Sequence, residues 1–226
     1  QTKKVKQGLL QTLLTKGIGH TKFKASPLGK IPASWEVVKL EDVANVERGK
    51  FTARPRNDPK YFGGQYPFIQ TGDITRSDGK VRSYSQTLNE KGLAVSRLFP
   101  KGTILLTIAA NIGDVAIMGF DAAFPDSLVG ITSNNRSNSL WLFYFLGVQK
   151  DYLESKATQN AQKNINLQIL RPMQIALPPL PEQKAIANIF EGVDNQLAAE
   201  TAKLASLQKL KKGLMHDLLT GKVRVV

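Results

Sequence analysis

The stretch "LPPLPEQKAIANIF" (Leu177–Phe190) divides the chain into two kinds of sequence. Pro178, Pro179 and Pro181 remove backbone donors and fix φ, so no helix runs through them. From Glu182 onward there is no proline, and the thirty-eight residues to Leu219 read as one helix opened by a proline, where a missing N–H costs nothing. At about 1.5 Å per residue that helix is about 57 Å long. Positions 186, 190, 193, 197, 200, 204, 207, 211, 214 and 218 alternate spacings of four and three. They carry Ile186, Phe190, Val193, Leu197, Leu204, Leu207, Leu214 and Leu218, interrupted by Glu200 and Lys211. Such a seam, on a helix longer than its own domain can cover, predicts a coiled coil with another helix. An amphipathic helix lying on its own core would explain the first three turns but not the whole length.

The end of this helix repeats the start of the chain. "KVKQGLLQTLLT" (Lys4–Thr15) and "KLKKGLMHDLLT" (Lys209–Thr220) are identical at seven of twelve positions, including Gly8 with Gly213 and Leu13-Leu14 with Leu218-Leu219. A repeat separated by about two hundred residues flanks a whole domain, so its period is domain-sized and not that of a solenoid unit. With Gln1 at the start, the chain reads as a piece of a longer protein built of two such periods, the first phrase closing the preceding period.

Between the phrases lies a chain of ordinary globular composition, 42% hydrophobic and sufficient for one domain plus an extended element. The longest uninterrupted apolar run, Leu140–Leu146, is too short to cross a bilayer, and no cleavable signal pattern precedes it, which points to the cytoplasm. With no cysteine, and with His20 and His216 as the only histidines, disulfide frameworks, thiolate metal sites and imidazole clusters are not expected. Neither a metal nor a cofactor is expected.

Residues 1–16 read as a basic helical stub ended by Gly17 and Gly19, and residues 18–34 as a linker. From Trp35 to Leu177 short apolar runs alternate with Gly, Pro, Asn and Asp. "YPFI", "TILLTIA", "VAIM", "LVGI" and "MQIAL" read as strands, and Ser139–Glu154, behind an Asn/Ser-rich cap, reads as one buried helix. Neither a regular βαβ alternation nor a glycine-rich nucleotide loop is visible. The fold expected is α+β: a mixed α/β domain followed by a long C-terminal coiled-coil helix.

Charge is the first functional signal. The formal net charge is +13, and residues 1–30 hold seven lysines and no acid. "RGKFTARPRNDPK" (Arg48–Lys60) holds five bases against one acid. A basic loop with Phe51, Tyr61 and Phe62 interleaved suits a phosphate backbone, because Lys and Arg release condensed counterions while aromatic rings stack or wedge. The plain alternative is a solvated basic surface that keeps the protein soluble.

Five further segments carry a resemblance. "SPLGKIPASWEVVKLEDVA" (Ser26–Ala44), "YFGGQYPFIQTGDI" (Tyr61–Ile74), "LFPKGTILLTIAANIGDVAI" (Leu98–Ile117), "QKNINLQIL" (Gln162–Leu170) and "LPPLPEQKAIANIF" with "LLTGKVRV" resemble, in order and over the whole chain, the specificity (S) subunit of type I restriction-modification enzymes. That family's subunit has two target-recognition domains, each followed by a conserved helix, and the helices pair antiparallel as a spacer. The resemblance implies that residues 1–17 are the tail of the central helix, 18–177 the second target-recognition domain and 178–226 the distal helix. It implies sequence-specific reading of one half of a split double-stranded DNA target, without catalysis. Methyl transfer and cleavage then belong to separate methyltransferase (M) and restriction (R) subunits that the S subunit assembles.

Base edges in the major groove are read by Arg at guanine and by Asn or Gln at adenine, so polar and basic loop residues are the candidate readers. Lys50, Arg54, Arg56 and Lys60 lie in the basic loop. Gln70, Thr71, Arg76 and Ser77 follow a predicted strand, with Gly72-Asp73 as a strand-ending turn, and Gln159, Asn160, Lys163 and Asn164 cluster after the buried helix. Asn160 and Asn164 also suit plain turn caps, and Lys163 suits a phosphate better than a base.

Two other classes compete with this reading. A methyltransferase would need an Asp-Pro-Pro-Tyr or Asn-Pro-Pro-Phe type motif, which the sequence lacks, and a metal-dependent nuclease would need paired carboxylates and a lysine, which Asp126 with Glu182 and Lys184 matches superficially. Glu182, however, falls in the first turn of the long helix, where a carboxylate favours the positive dipole end, and Asp126 is most of a domain away. A basic scaffold acting through its coiled coil alone would prefer no duplex sequence. The exposed part of the seam also allows a homodimer through the long helix.

Overall fold

In the computed structural model, residues 2–109, 111–158 and 164–221 are described. An N-terminal helix, Thr2–Lys16, precedes a mixed body that ends at strand Gln174–Leu177, and helix Leu180–Leu219 leaves it. The α+β class and the long terminal helix are as expected. The helix has 40 residues and begins two residues earlier than the prolines suggested, because Pro181 stands in its first turn, where its missing N–H has no partner to lose.

The body is built on a five-stranded sheet in the order Ala44–Arg48, Leu128–Ser133, Ile104–Thr107, Val115–Met118 and Lys80–Val81. Its first four strands pair antiparallel, and Val115–Met118 pairs parallel with Lys80–Val81. The run "ILLT" is apolar throughout because both faces are covered. Ile104 and Leu106 point to the helices, while Leu105 points to a second, four-stranded sheet. Leu128–Ser133 follows the same period, with Val129 and Ile131 on the helix side and Leu128 on the other. Gly130 shares the face of Leu128, where a Cβ would stand 2.8 Å from the Phe124 ring and 3.1 Å from Phe99, so no larger residue fits.

The second sheet runs Gln86–Leu88, Phe62–Phe68, Ala122–Ala123 and Leu98–Phe99. Its outer face packs Phe51, Ala53, Phe68 and Leu88 into a cluster of their own. Each of the five apolar runs read as strands overlaps a strand, "VAIM" and "LVGI" lying wholly inside one and the other three overrunning it by one to three residues. Two other readings differ. Residues 18–34 contain a hairpin, Phe23–Ser26 with Gly29–Pro32, closed by the Ser26 hydroxyl, which donates to the Gly29 carbonyl at 2.7 Å and accepts from the Leu28 amide at 3.1 Å. Its first strand is exposed, so it carries no apolar alternation to reveal it. Ser139–Glu154 is two helices, Ser139–Gly147 and Lys150–Thr158. The first is buried nearly all round, whereas the second buries Leu153 and Ala157 and turns away as Lys150 pairs with Asp114 at 2.6 Å.

The long helix joins this body through its first turns. Ile186 and Phe190 are fully buried, each contributing on the order of 2 kcal/mol by area. Val193 and Leu197 are half-buried, and Leu204, Leu207, Leu214 and Leu218 are 57%, 53%, 55% and 46% exposed. The N-terminal helix lies beside that first part, with Leu14 in the same core cluster as Ile186 and Phe190. Lys6 pairs with Asp194 at 2.5 Å, and Thr2 donates to Glu200 at 2.8 Å. Asp194 also accepts from the Tyr144 hydroxyl at 2.8 Å, and burial together with that carboxylate raises the Tyr144 phenol above its ordinary range.

Gly17 ends the N-terminal helix at φ 67°, and a Cβ there would collide with the Glu182 carboxylate, the His20 ring and the Trp35 ring. The close approach has a purpose. Glu182 accepts from the Ile18 amide at 3.0 Å, from the Trp35 indole at 3.0 Å and contacts His20 at 2.8 Å. One carboxylate in the first turn of the long helix thereby holds the end of the stub and the start of the body. No described helix is long and apolar enough to cross a membrane.

Candidate nucleic-acid interface

The basic loop runs between strand Ala44–Arg48 and the 3-10 turn Pro59–Tyr61. It is anchored from beneath by Phe51, which is 4% exposed and packs on Phe62 and Phe68 with ring centroids 5.7 and 5.0 Å apart. Phe51 is therefore a core residue with little ring surface left for stacking, contrary to the sequence reading. Tyr61 and Phe62 are half-buried against the same cluster. The Lys50 amide donates to Phe124 and its carbonyl accepts from Ser96, fixing the backbone while its side chain stays exposed and makes no ion pair among the described residues. Arg54 is exposed and makes its one side-chain hydrogen bond among the described residues to the Ala53 carbonyl, at 2.7 Å.

Two of the loop's cations are already taken. Arg56 forms a two-pronged pair with Asp126, Nη1 to Oδ1 at 2.9 Å and Nη2 to Oδ2 at 2.8 Å. The hydrogen bonds raise the Arg56 guanidinium above its ordinary value and hold the Asp126 carboxyl below its own. Lys60 pairs with Asp58 at 2.8 Å and lies 4.9 Å over the Tyr61 ring, so its ammonium is raised and the Asp58 carboxyl lowered by the same contact.

Beside the loop opens a cleft of about 430 Å³, floored by Phe51, Phe62 and Phe68 and edged by Arg56, Asn57, Gln70, Gln86 and Ser127. Gln70 donates to Gln86 at 2.9 Å, and Thr71 touches Ser127 at 3.4 Å. Gln70 precedes a short helix, Thr71–Arg76, so Gly72-Asp73 lies in a helix and not in a plain turn. The helix forms there because Asp73, nearly buried, accepts from the Gln70 amide, Ser85 and Arg76. Arg76 remains 70% exposed despite that pair. Ser77 donates to the Ile74 carbonyl at 2.8 Å and closes the helix. Arg76 and Ser77 line a neighbouring cleft of about 380 Å³ with Lys80 and Arg82.

The candidate positions thus separate. Arg56 and Gln70 meet at one cleft, with Thr71 against its Ser127 edge and Lys50, Arg54 and Lys60 in the loop beside it, whereas Arg76 and Ser77 belong to the next. Gln159, Asn160 and Lys163 lie outside the described residues, and Asn164 is half-buried with contacts inside the molecule. Sequence reasoning missed Gln86 and Asp126. Gln86 reaches the cleft through the pairing of Phe68 with Gln86, a register that no local pattern announces. Asp126 was noticed only as half of a nuclease pair. Its carboxylate is taken by Arg56 and that of Glu182 by Trp35, and among the described residues no group of three or more His, Cys, Asp or Glu side chains is arranged to hold a metal.

An α+β body ending in a long helix is also the form of known structures. The chain superimposes on the HsdS subunit from Thermoanaerobacter tengcongensis with a TM-score of 0.68 at 20% identity, covering 96% of this chain and 50% of that one. It superimposes on the S subunit of a type I restriction-modification system from M. genitalium with a TM-score of 0.63 at 13% identity, covering 94% and 52%. At these identities the likeness concerns the fold. In sequence, the chain is 32% identical over 224 residues to the putative type I restriction enzyme MjaX specificity subunit of Methanocaldococcus jannaschii, and 31% identical over 240 residues to the MjaVIII specificity subunit of the same organism. Both alignments cover 98% of the chain but only 51% and 54% of the relatives, so the chain spans about half their length. Residues 32–209 match the type I restriction modification DNA specificity domain, and the chain belongs to that family.

Proposed function

We propose that this chain is the second half of a type I specificity subunit, a non-catalytic cytoplasmic module that reads one half of a split double-stranded DNA target and helps to assemble the methyltransferase and restriction subunits. Residues 18–177 form the target-recognition domain, 1–17 the tail of the central spacer helix and 178–226 the distal helix. Lys50, Arg54 and Lys60 meet phosphates, Arg56, Gln70, Thr71, Arg76 and Ser77 stand nearest the bases, and Gln159, Asn160, Lys163 and Asn164 are further candidate contacts. The observation that carries the reading is the juxtaposition of a cationic loop with a cleft edged by two hydrogen-bonded glutamines. Phosphate contacts position a protein on the duplex, and planar amide or guanidinium groups discriminate base edges.

The uncovered leucines of the long helix support the spacer role. Two helices of one longer chain, or of two copies, would cover Leu204, Leu207, Leu214 and Leu218 and hold two recognition domains at a fixed separation.

Duplex titration at several salt concentrations tests the reading. One recognition domain supplies half of the full subunit's phosphate contacts, so weak binding that falls steeply with salt is expected. Salt-independent binding, or magnesium-dependent cleavage by the chain alone, would overturn it.

A further inference from the structure

Asp126 is a carboxylate in a surface otherwise suited to polyanions, and its position is fixed. The Gly49 amide donates to the Leu128 carbonyl at 2.9 Å, the Lys50 amide to Phe124 at 3.0 Å and the Leu128 amide to Pro125 at 3.1 Å, so the turn bearing Asp126 is tied to the base of the basic loop. The Arg48 guanidinium also donates to the Asp126 carbonyl, at 2.5 Å. From this turn the carboxylate meets both terminal nitrogens of Arg56, one oxygen to each, beside the cleft that Arg56, Pro125 and Ser127 line.

A carboxylate costs phosphate binding twice, by repelling the phosphate and by occupying the cation. An exposed ion pair is nevertheless easily exchanged for a better partner. Guanine offers one: its O6 and N7 present two acceptors in a plane, which the same Arg fork can meet as it meets Oδ1 and Oδ2. A phosphate offers charge to any cation on any sequence. Specificity of this kind arises from a built-in penalty against the wrong partner as much as from attraction to the right one.

We infer that Asp126 is a specificity-determining residue: its carboxylate holds the Arg56 fork away from phosphates and yields it to a base edge with two coplanar acceptors, guanine in the major groove. The inference rests on the reading that the Arg48–Lys60 loop faces DNA. It adds that one acidic residue sets the balance between general and selective binding.

The test uses the full chain and a random-sequence duplex as probe, at several salt concentrations. Asp126→Asn is expected to bind about three- to tenfold more tightly than wild type, with a salt slope steeper by about one phosphate contact. In an Arg56→Ala background the same Asp126→Asn change is expected to gain less than twofold, because the freed cation is absent. Asp126→Ser provides the same readout through a different side chain, and melting curves of each variant establish that it is folded. Equal binding by wild type and both Asp126 variants overturns the inference, as does a full gain in the absence of Arg56. Those results leave the DNA reading intact. If wild type shows no salt-dependent duplex binding, the reading itself fails and the inference with it. Selection from a randomised duplex pool gives a second measure, in which wild type fixes a guanine that Asp126→Asn accepts less strictly. Identical preferences would overturn the assignment.

Discussion

Gln183, with no exposed surface, accepts the main-chain amide of Asn138 on its Oε1 at 2.8 Å. Its Nε2 donates to the carbonyls of Pro178 and Arg136 at 2.9 and 3.0 Å. One side chain in the second turn of the long helix therefore joins the proline segment before it to the start of helix Ser139–Gly147. Ala in its place would strand three backbone groups, that of Pro178 in a buried bond and those of Asn138 and Arg136 in part-buried ones, and an unsatisfied buried group costs about 1–3 kcal/mol. Gln183→Ala is expected to lose at least about 2 kcal/mol of stability in chemical denaturation, whereas Gln196→Ala, exposed farther along the helix, stays within about 0.5 kcal/mol.

Gly17 is the matching point on the other strand of this junction. Its positive φ and the absence of room for a Cβ make Gly17→Ala costly on both counts, by more than about 1 kcal/mol. Gly8, with open space around it, is the control: Gly8→Ala in mid-helix is expected to be neutral or to stabilise by about 0.5–1 kcal/mol. Thermal melting of the two variants side by side distinguishes them.

These two residues also mark what the sequence could and could not tell. The "PPLPEQ" segment announced the start of the long helix, since proline acts through local geometry, and the seam announced Ile186 and Phe190 as buried. The strand runs were legible because Ile104–Thr107 and Leu128–Ser133 are covered on both faces. The parallel pairings were not, because contacts such as Ala123 with Phe68 join segments distant in sequence. At the candidate interface the cations of the basic loop were visible, but their partners were not. Asp126 lies seventy residues from Arg56, and only the turn after Phe124 brings them together. Phe51 shows the same limit: an aromatic ring in a basic loop looks available until the strand beneath it is known.

The free cations of the loop should act on binding without acting on the fold. Among the described residues Arg54 donates only to its neighbouring carbonyl and Lys50 makes no ion pair. Arg54→Ala and Lys50→Ala are each expected to weaken duplex binding and reduce the salt slope by about one, while changing stability by less than about 0.5 kcal/mol. Melting and binding measured on the same variants check this. A fall of many degrees in melting temperature would make these residues structural.

Acid should release Arg56. The Asp126 carboxyl titrates below its ordinary 3.8 because Arg56 hydrogen-bonds to the charged form, which outweighs the cost of partial burial. A lowered folded-state value means that the pair's contribution is complete above the unfolded carboxyl's value and is lost as pH falls through the lower folded one. The pair is exposed, so that contribution is below about 1 kcal/mol. Denaturation of wild type and Asp126→Asn is expected to show this small difference at neutral pH and its disappearance at pH below the ordinary aspartate range.

The two ends of the chain are expected to compete for one site. Residues Thr2–Lys16 occupy the side of the long helix near Ile186, Phe190 and Asp194, and the phrase they carry returns at Lys209–Thr220. That second copy is uncovered: Leu210, Leu214, Met215, Leu218 and Leu219 are 46–84% exposed. An exposed stripe of this kind is an association surface, and a twofold antiparallel pairing of two long helices would cover it. In such a pair the partner's second phrase approaches the position that the first phrase already fills. The intact chain is therefore expected to dimerise weakly and a chain lacking residues 1–17 more tightly, as read by light scattering over a concentration series. Dissociation on deletion would instead mean that the N-terminal helix bridges two chains, and the antiparallel geometry would be wrong.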